Sequence, residues 1–134
     1  MFKQIYIPFI LLLSLSLFAQ KKELKSVDKL IQNEDYASAL EQLLAVQSLV
    51  EGSELKYQAQ YQFLAGKIYG EQKQFGAAFE ALASAKQLEA ENGSSKHTAD
   101  INVLVNELSN QAINQAVEEN QNANYTVAAD LLVM

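Results

Sequence analysis

The sequence predicts an all-α fold built from antiparallel helix pairs. Apolar residues recur at three- and four-residue steps in one run after another. Short polar stretches separate the runs, and no segment alternates apolar and polar residues as a half-buried strand would. The single proline is Pro8, so no later position is barred from helix by a proline ring. Leu24, Val27, Leu30 and Ile31 form a short first face, interrupted by Asn33-Glu34-Asp35. Tyr36, Ala39, Leu40, Leu43, Leu44 and then Ser48 or Val50 form the second, which Gly52-Ser53 ends with good turn chemistry. A third helix is expected from about Glu54 to Tyr69, with Tyr57, Tyr61, Leu64, Ala65, Ile68 and Tyr69 on one face, and a break near Gly70 to Gln74. The fourth carries Phe75, Ala78, Phe79, Leu82, Ala85 and Leu88 and stops at Asn92-Gly93-Ser94-Ser95. The fifth is expected from about Thr98 to Glu119, through Ile101, Leu104, Val105, Leu108, Ala112, Ala116 and Val117. A sixth is expected to begin at Tyr125 and to include Ala128, Ala129, Leu131 and Leu132. Six helices joined by short loops imply antiparallel hairpins.

The composition narrows the classes of function. A chain of 134 residues holds one small domain or a few units of a repeat array. It has no cysteine, which excludes a disulfide scaffold, a Cys-ligated metal site and a thiol nucleophile. Ten lysines, no arginine and 16 acidic residues give a net charge of -6. That balance argues against nucleic acid as a partner, because neutralising phosphates dominates such binding.

Residues 1–19 read as a signal peptide. Lys3 supplies a positive start, Ile5 to Phe18 an apolar run, and Ala19 a small residue suited to cleavage before Gln20. The run is shorter than the roughly 20 residues that span a bilayer. Lys21, Lys22 and Lys25 after it outnumber Lys3 before it, a bias that opposes export and keeps an uncleaved anchor as the alternative. The ending LFAQKK is similar to signal peptides of exported proteins in some Gram-negative bacteria. The expected address is the periplasm or cell envelope, with residues 20–134 as the helical region.

The second helices of the pairs begin alike: DYASALEQLLAV, QFGAAFEALASA and NYTVAADLLVM. Each has an aromatic at its start (Tyr36, Phe75, Tyr125), alanine three residues on (Ala39, Ala78, Ala128) and leucine four after that (Leu43, Leu82, Leu132). Offsets of three and seven nearly complete whole helical turns, so the three share one face. The alanine lets two backbones approach closely.

This pattern resembles the tetratricopeptide repeat (TPR) family over about Lys22 to Met134. The best unit is LAGKIYGEQKQFGAAFEALASAKQL, where Ala65-Gly66 match the small pair of the family's first helix and Tyr69 its tyrosine. Phe75, Ala78, Leu82 and Ala85 match its second helix. The first unit matches through Tyr36, Ala39, Leu40 and Leu43, and the third through Ala116, Tyr125 and Ala128. The departures are Ser26-Val27 at the first small pair, Leu30 at its tyrosine, and no closing proline in any unit. The aromatics stand 39 and then 50 positions apart, where the family's repeat is about 34. The resemblance implies three stacked hairpins in a right-handed solenoid, the third unfinished, with the first helix of each pair lining a concave groove.

No constellation of catalytic groups is visible. His97 is the only histidine, and it sits where a loop enters the fifth helix, with Asp100 the nearest acid and no nucleophile elbow. It reads as an exposed or capping residue. Glu89, Glu91, Glu118 and Glu119 read as solvated surface. Gly66, Gly70 and Gly76 form no phosphate loop. Asn102, Asn106, Asn110 and Asn114 place an amide every four residues along the fifth helix. They read either as a solvated face or, with Tyr57, Tyr61 and Lys67 of the third helix, as a peptide-binding groove, with packing against the first hairpin as the other reading of Tyr61.

The expected function is a non-catalytic scaffold in the cell envelope that binds a protein or peptide, with no cofactor, metal or small-molecule substrate. One alternative is an accessory module of a larger envelope enzyme whose catalytic part lies beyond Met134. The other is a self-associating module driven by the apolar end Leu131-Leu132-Val133-Met134, an end from which a truncated C-terminus is also expected.

Overall fold

The computed structural model describes the backbone of residues 19–133 and the side chains of residues 19–123. Among them every regular element is helical. Helix α1 covers residues 19–32, α2 Tyr36–Ala45, α3 Gln47–Glu51, α4 Leu55–Glu71, α5 Phe75–Glu91 and α6 Thr98–Val133. The signal-peptide segment lies outside the described residues except for Ala19, which is already helical.

The first two hairpins are closed by the same turn, 39 residues apart. At the end of α1, Glu34 takes φ 61°, and the Asp35 and Glu34 N–H groups donate to the carbonyls of Leu30 (3.0 Å) and Ile31 (2.9 Å). At the end of α4, Lys73 takes φ 59°, and Gln74 and Lys73 donate to Tyr69 (2.9 Å) and Gly70 (3.0 Å). Both are Schellman motifs, which satisfy the orphan carbonyls of a helix end. The next helix starts at once, from Asp35 at φ -90°, ψ 71° and from Gln74 at φ -89°, ψ 71°. Asp35 also accepts from Ser38 N–H through its side chain, a helix N-cap. Helix α5 ends on the same hydrogen bonds, with Gly93 at φ 66°.

Two elements differ from the expected ones. The second helix is broken at Val46, whose N–H reaches back three residues to Leu43 and not four. Val46 and Val50, on either side of the break, are both in the core, 5% and 3% exposed. The second correction is larger: no separate helix begins at Tyr125, because α6 runs unbroken for 36 residues. At 1.5 Å per residue that is about 54 Å. Residues 111–124 contain no glycine or proline, so nothing local stops the backbone hydrogen bonds. The third hairpin is therefore absent among the described residues. Ala116, expected to pack within it, is exposed, and the side chains of Tyr125 and Ala128 lie outside the described set.

The core has two layers, and α4 belongs to both. The first joins Leu24 and Val27 of α1 to Ala39 and Leu43 of α2 and to Tyr61, Leu64, Ala65 and Ile68 of α4. Tyr36, Tyr57 and Tyr69 pack against it, partly buried. The second joins Phe63 of α4 to Ala78, Leu82 and Ala85 of α5 and to Ile101 and Leu108 of α6, with Phe75 and Tyr69 at its edge. A helix serving two layers needs small residues where its neighbours come closest. A Cβ on Gly66 would stand 2.6 Å from Cγ of the fully buried Leu82, and one on Gly70 would stand 3.0 Å from both Leu108 methyls.

Two glycine substitutions should therefore act in opposite directions. Gly66→Ala gains about 1 kcal/mol of helix propensity but overpacks a closed core at a cost of about 1–3 kcal/mol. A net loss is expected. Nothing lies within 4 Å of a Cβ on Gly76, so Gly76→Ala should stabilise by about 0.5–1 kcal/mol. Urea midpoints of the two variants read the signs directly.

Candidate functional site

Helices α1, α4 and α6 each turn one stripe of side chains toward a common face. The stripes have helical spacing: Lys21, Lys25 and Asp28 on α1, Lys56, Gln60, Phe63, Lys67 and Glu71 on α4, and Asp100, Val103, Leu104 and Glu107 on α6. Two adjoining clefts lie between them. The first, of about 500 Å³, is enclosed by the α1 stripe, Lys56, Tyr57 and Gln60 of α4, and Glu89, Lys96 and His97 of the loop side. The second, of about 320 Å³, has Ile31, Phe63, Val103 and Leu104 as its apolar lining and Lys67, Glu71, Asp100 and Glu107 as its rim.

The divide between the clefts is made of paired side chains. Lys67 Nζ lies 3.8 Å from Asp28 Oδ1 and 4.8 Å from the centre of the Phe63 ring. The His97 ring stacks on Phe63 at 4.6 Å and 20°. Burial against that ring lowers the His97 pKa, and the Lys96 and Lys67 charges add to the lowering, while Glu89 and Asp100 oppose it.

Glu89 overturns its surface reading. It is 3% exposed, and its two carboxylate oxygens accept from His97 N–H (2.8 Å) and Thr98 Oγ1 (2.9 Å). A buried carboxylate needs such donors. Its place at the start of the longest helix also sets a negative charge against the positive end of the helix dipole. Helix α6 is thus held to α5 at the mouth of the first cleft. The signal in the sequence was Thr98 following an acid nine residues earlier, a separation too long for a local motif to reveal.

The cleft is basic although the chain is acidic. Lys21, Lys25, Lys56 and Lys96 line it. Its two carboxylates are engaged: Asp28 by Lys67 and Glu89 by the start of α6. Lys56 pairs at 3.6 Å with exposed Glu54, whereas Lys21, Lys25 and Lys96 have no carboxylate within 4.0 Å among the described residues.

Of the residues expected to form a groove, Lys67 and Tyr57 line these clefts. Tyr61 is 8% exposed and belongs to the first core layer. The asparagines lie elsewhere. Asn102 accepts from Lys86 of α5 (3.1 Å), Asn106 and Asn110 are exposed, and Asn114 lies in a separate depression beside Lys73 and Phe75. The groove line on α6 is the one through Asp100, Val103, Leu104 and Glu107, to the side of the amide stripe. Val103 and Glu107 carry no motif in the sequence that marks them for a groove.

No group of three or more His, Cys, Asp or Glu able to hold a metal occurs among the described residues. No helix among them is long and apolar enough to cross a membrane. No family model, curated protein or solved structure matches the chain.

Two measurements probe this arrangement. Glu89→Ala removes two hydrogen bonds to a charged acceptor and leaves their donors unmatched, so a loss of about 2–3 kcal/mol in denaturant unfolding is expected. The lowered His97 pKa means that below about pH 6.5 the unfolded chain binds a proton that the folded chain resists. Stability from this group is complete above that pH and falls as pH drops through the window down to the lowered value. Thermal midpoints across that range should fall less in His97→Phe than in the parent.

Proposed function

We propose that the chain is a non-catalytic helical scaffold of TPR-like type, exported to the cell envelope, that holds an extended segment of a protein partner in the clefts between α1, α4 and α6. The observation that carries this reading is the convergence of three side-chain stripes, from three helices, on one face with two adjoining concavities. Sites for protein segments combine apolar recesses with a polar rim, and this face has both. The identical turns at Glu34 and Lys73 and the shared aromatic-alanine-leucine spacing support a repeat origin. The apolar run before Ala19 supports export. Fold analogy supplies the class of activity and the groove supplies the place.

A specific observation favours self-association as a second reading. Ile113 and Val117, one turn apart on α6, are 60% and 49% exposed. Mass measured against concentration separates a monomeric scaffold from an assembling one.

The scaffold reading is tested by placing a photo-cross-linking amino acid at Val103 in the groove and at Leu44 on α2, which are 57% and 49% exposed. In cells making the full chain, a discrete adduct is expected from position 103 and not from 44. Equal adduct patterns from the two positions would remove the groove from the account.

A further inference from the structure

The larger cleft contradicts the charge of the molecule that contains it. The chain carries a net charge of -6, and every one of its basic residues is a lysine. Yet four lysines border this one concavity, and they come from three separate parts of the chain: Lys21 and Lys25 from α1, Lys56 from α4 and Lys96 from the loop before α6. Lys56 pairs with exposed Glu54, but the cleft's own carboxylates leave Lys21, Lys25 and Lys96 without a carboxylate partner among the described residues. Asp28 pairs with Lys67 at 3.8 Å and accepts from Gln32 Nε2, and Glu89 is buried with both oxygens occupied. A concave wall of low dielectric lined by one sign of charge concentrates its field and raises the local concentration of the opposite charge.

The second cleft adds a different chemistry beside the first. Phe63 floors it and Val103, 57% exposed, stands at its edge with Leu104 and Ile31. A small inorganic anion would use the lysines and leave this apolar recess unfilled. Nucleic acid would meet Glu71, Asp100 and Glu107 on the rim of the second cleft. A polypeptide with acidic residues at one end and a large apolar side chain a few positions along matches both halves.

We infer that the two clefts together recognise an acidic-then-apolar peptide segment, its carboxylates over Lys21, Lys25 and Lys96 and its apolar side chain against Phe63 and Val103. This rests on the groove reading above and specifies the partner that the groove takes. Recognition by exposed charges governs encounter and specificity, so binding weakens as salt rises.

The test uses the full chain and a fluorescein-labelled peptide, blocked at both ends, in which glutamates precede a leucine and a phenylalanine. Fluorescence anisotropy at low ionic strength should show binding that declines with added salt. The same peptide with glutamine for glutamate should bind at least about tenfold more weakly, as should Lys25→Glu/Lys96→Glu protein with the acidic peptide. Both lysines are on the surface, and a circular dichroism melt matching the parent certifies that the double variant is folded. Val103→Asp should weaken the acidic peptide too, and restoring a leucine there should recover it.

Each other outcome overturns the inference. Equal binding of the glutamate and glutamine peptides would leave a groove for peptides but remove its preference for acid. Pyrophosphate displacing the peptide at equal concentration would make this a small-anion site. Binding of neither peptide would refute the acidic-segment assignment, while the adduct at position 103 judges the groove separately.

Discussion

The contact of Gly66 with Leu82 sets the distance between α4 and α5, and most of the molecule is built outward from that distance. A fully buried leucine lies where a glycine leaves no side chain, so the two backbones approach closely. With the pair drawn together, α4 can turn Leu64, Ala65 and Ile68 toward the first hairpin and still give Phe63 to the second layer. A bulkier residue at position 66 would force a choice between the two layers, because interiors at crystal-like density have no slack to share. Gly70 against Leu108 repeats the device one turn later and brings α6 alongside.

That arrangement explains why the candidate site lies where it does. Once α5 takes one side of α4 and the first hairpin another, the remaining side is open, and α1 and α6 flank it. That side carries exposed lysines toward one end and, toward the other, an apolar recess made by the outer edges of the core residues Ile31, Phe63 and Leu104. Phe63 bridges the two roles, since it is 6% exposed, belongs to the second core layer and still presents a ring to Lys67 and His97. Rigid support beneath a polar surface is what holds a recognition site in register.

Helix positions were readable from periodicity because each apolar stripe has a partner within a few turns of chain. The breaks at Asn33–Asp35, Gln72–Gln74 and Asn92–Ser95 fall where polar, turn-forming residues interrupt the stripes. The sequence signals fail where local chemistry is silent. Val46 is an ordinary helix residue with no glycine or proline beside it, so nothing in the local sequence marks the break there. Residues 120–124 look like a loop by polarity, but asparagine and glutamine tolerate helix, and no glycine or proline interrupts them. Glu89 looked solvated because its donors, His97 and Thr98, lie on the far side of a turn. In the groove, Lys67 was recognisable, whereas Phe63 and Val103 were indistinguishable from packing residues until the helices were placed side by side.

The uneven placement of lysine along the chain has a consequence for how α6 is cut. Lys96 is the last lysine, separated from α6 only by His97, and neither lysine nor arginine follows through Met134. Trypsin therefore has no target anywhere in this helix and one at its threshold. Cleavage after Lys96 would leave the helix whole, still joined to the body by the Glu89 carboxylate and by Ile101 and Leu108 in the second layer. The covalent link and the noncovalent hold on the longest element can thus be separated by a single nick, and the time the severed helix takes to leave becomes a measure of that hold.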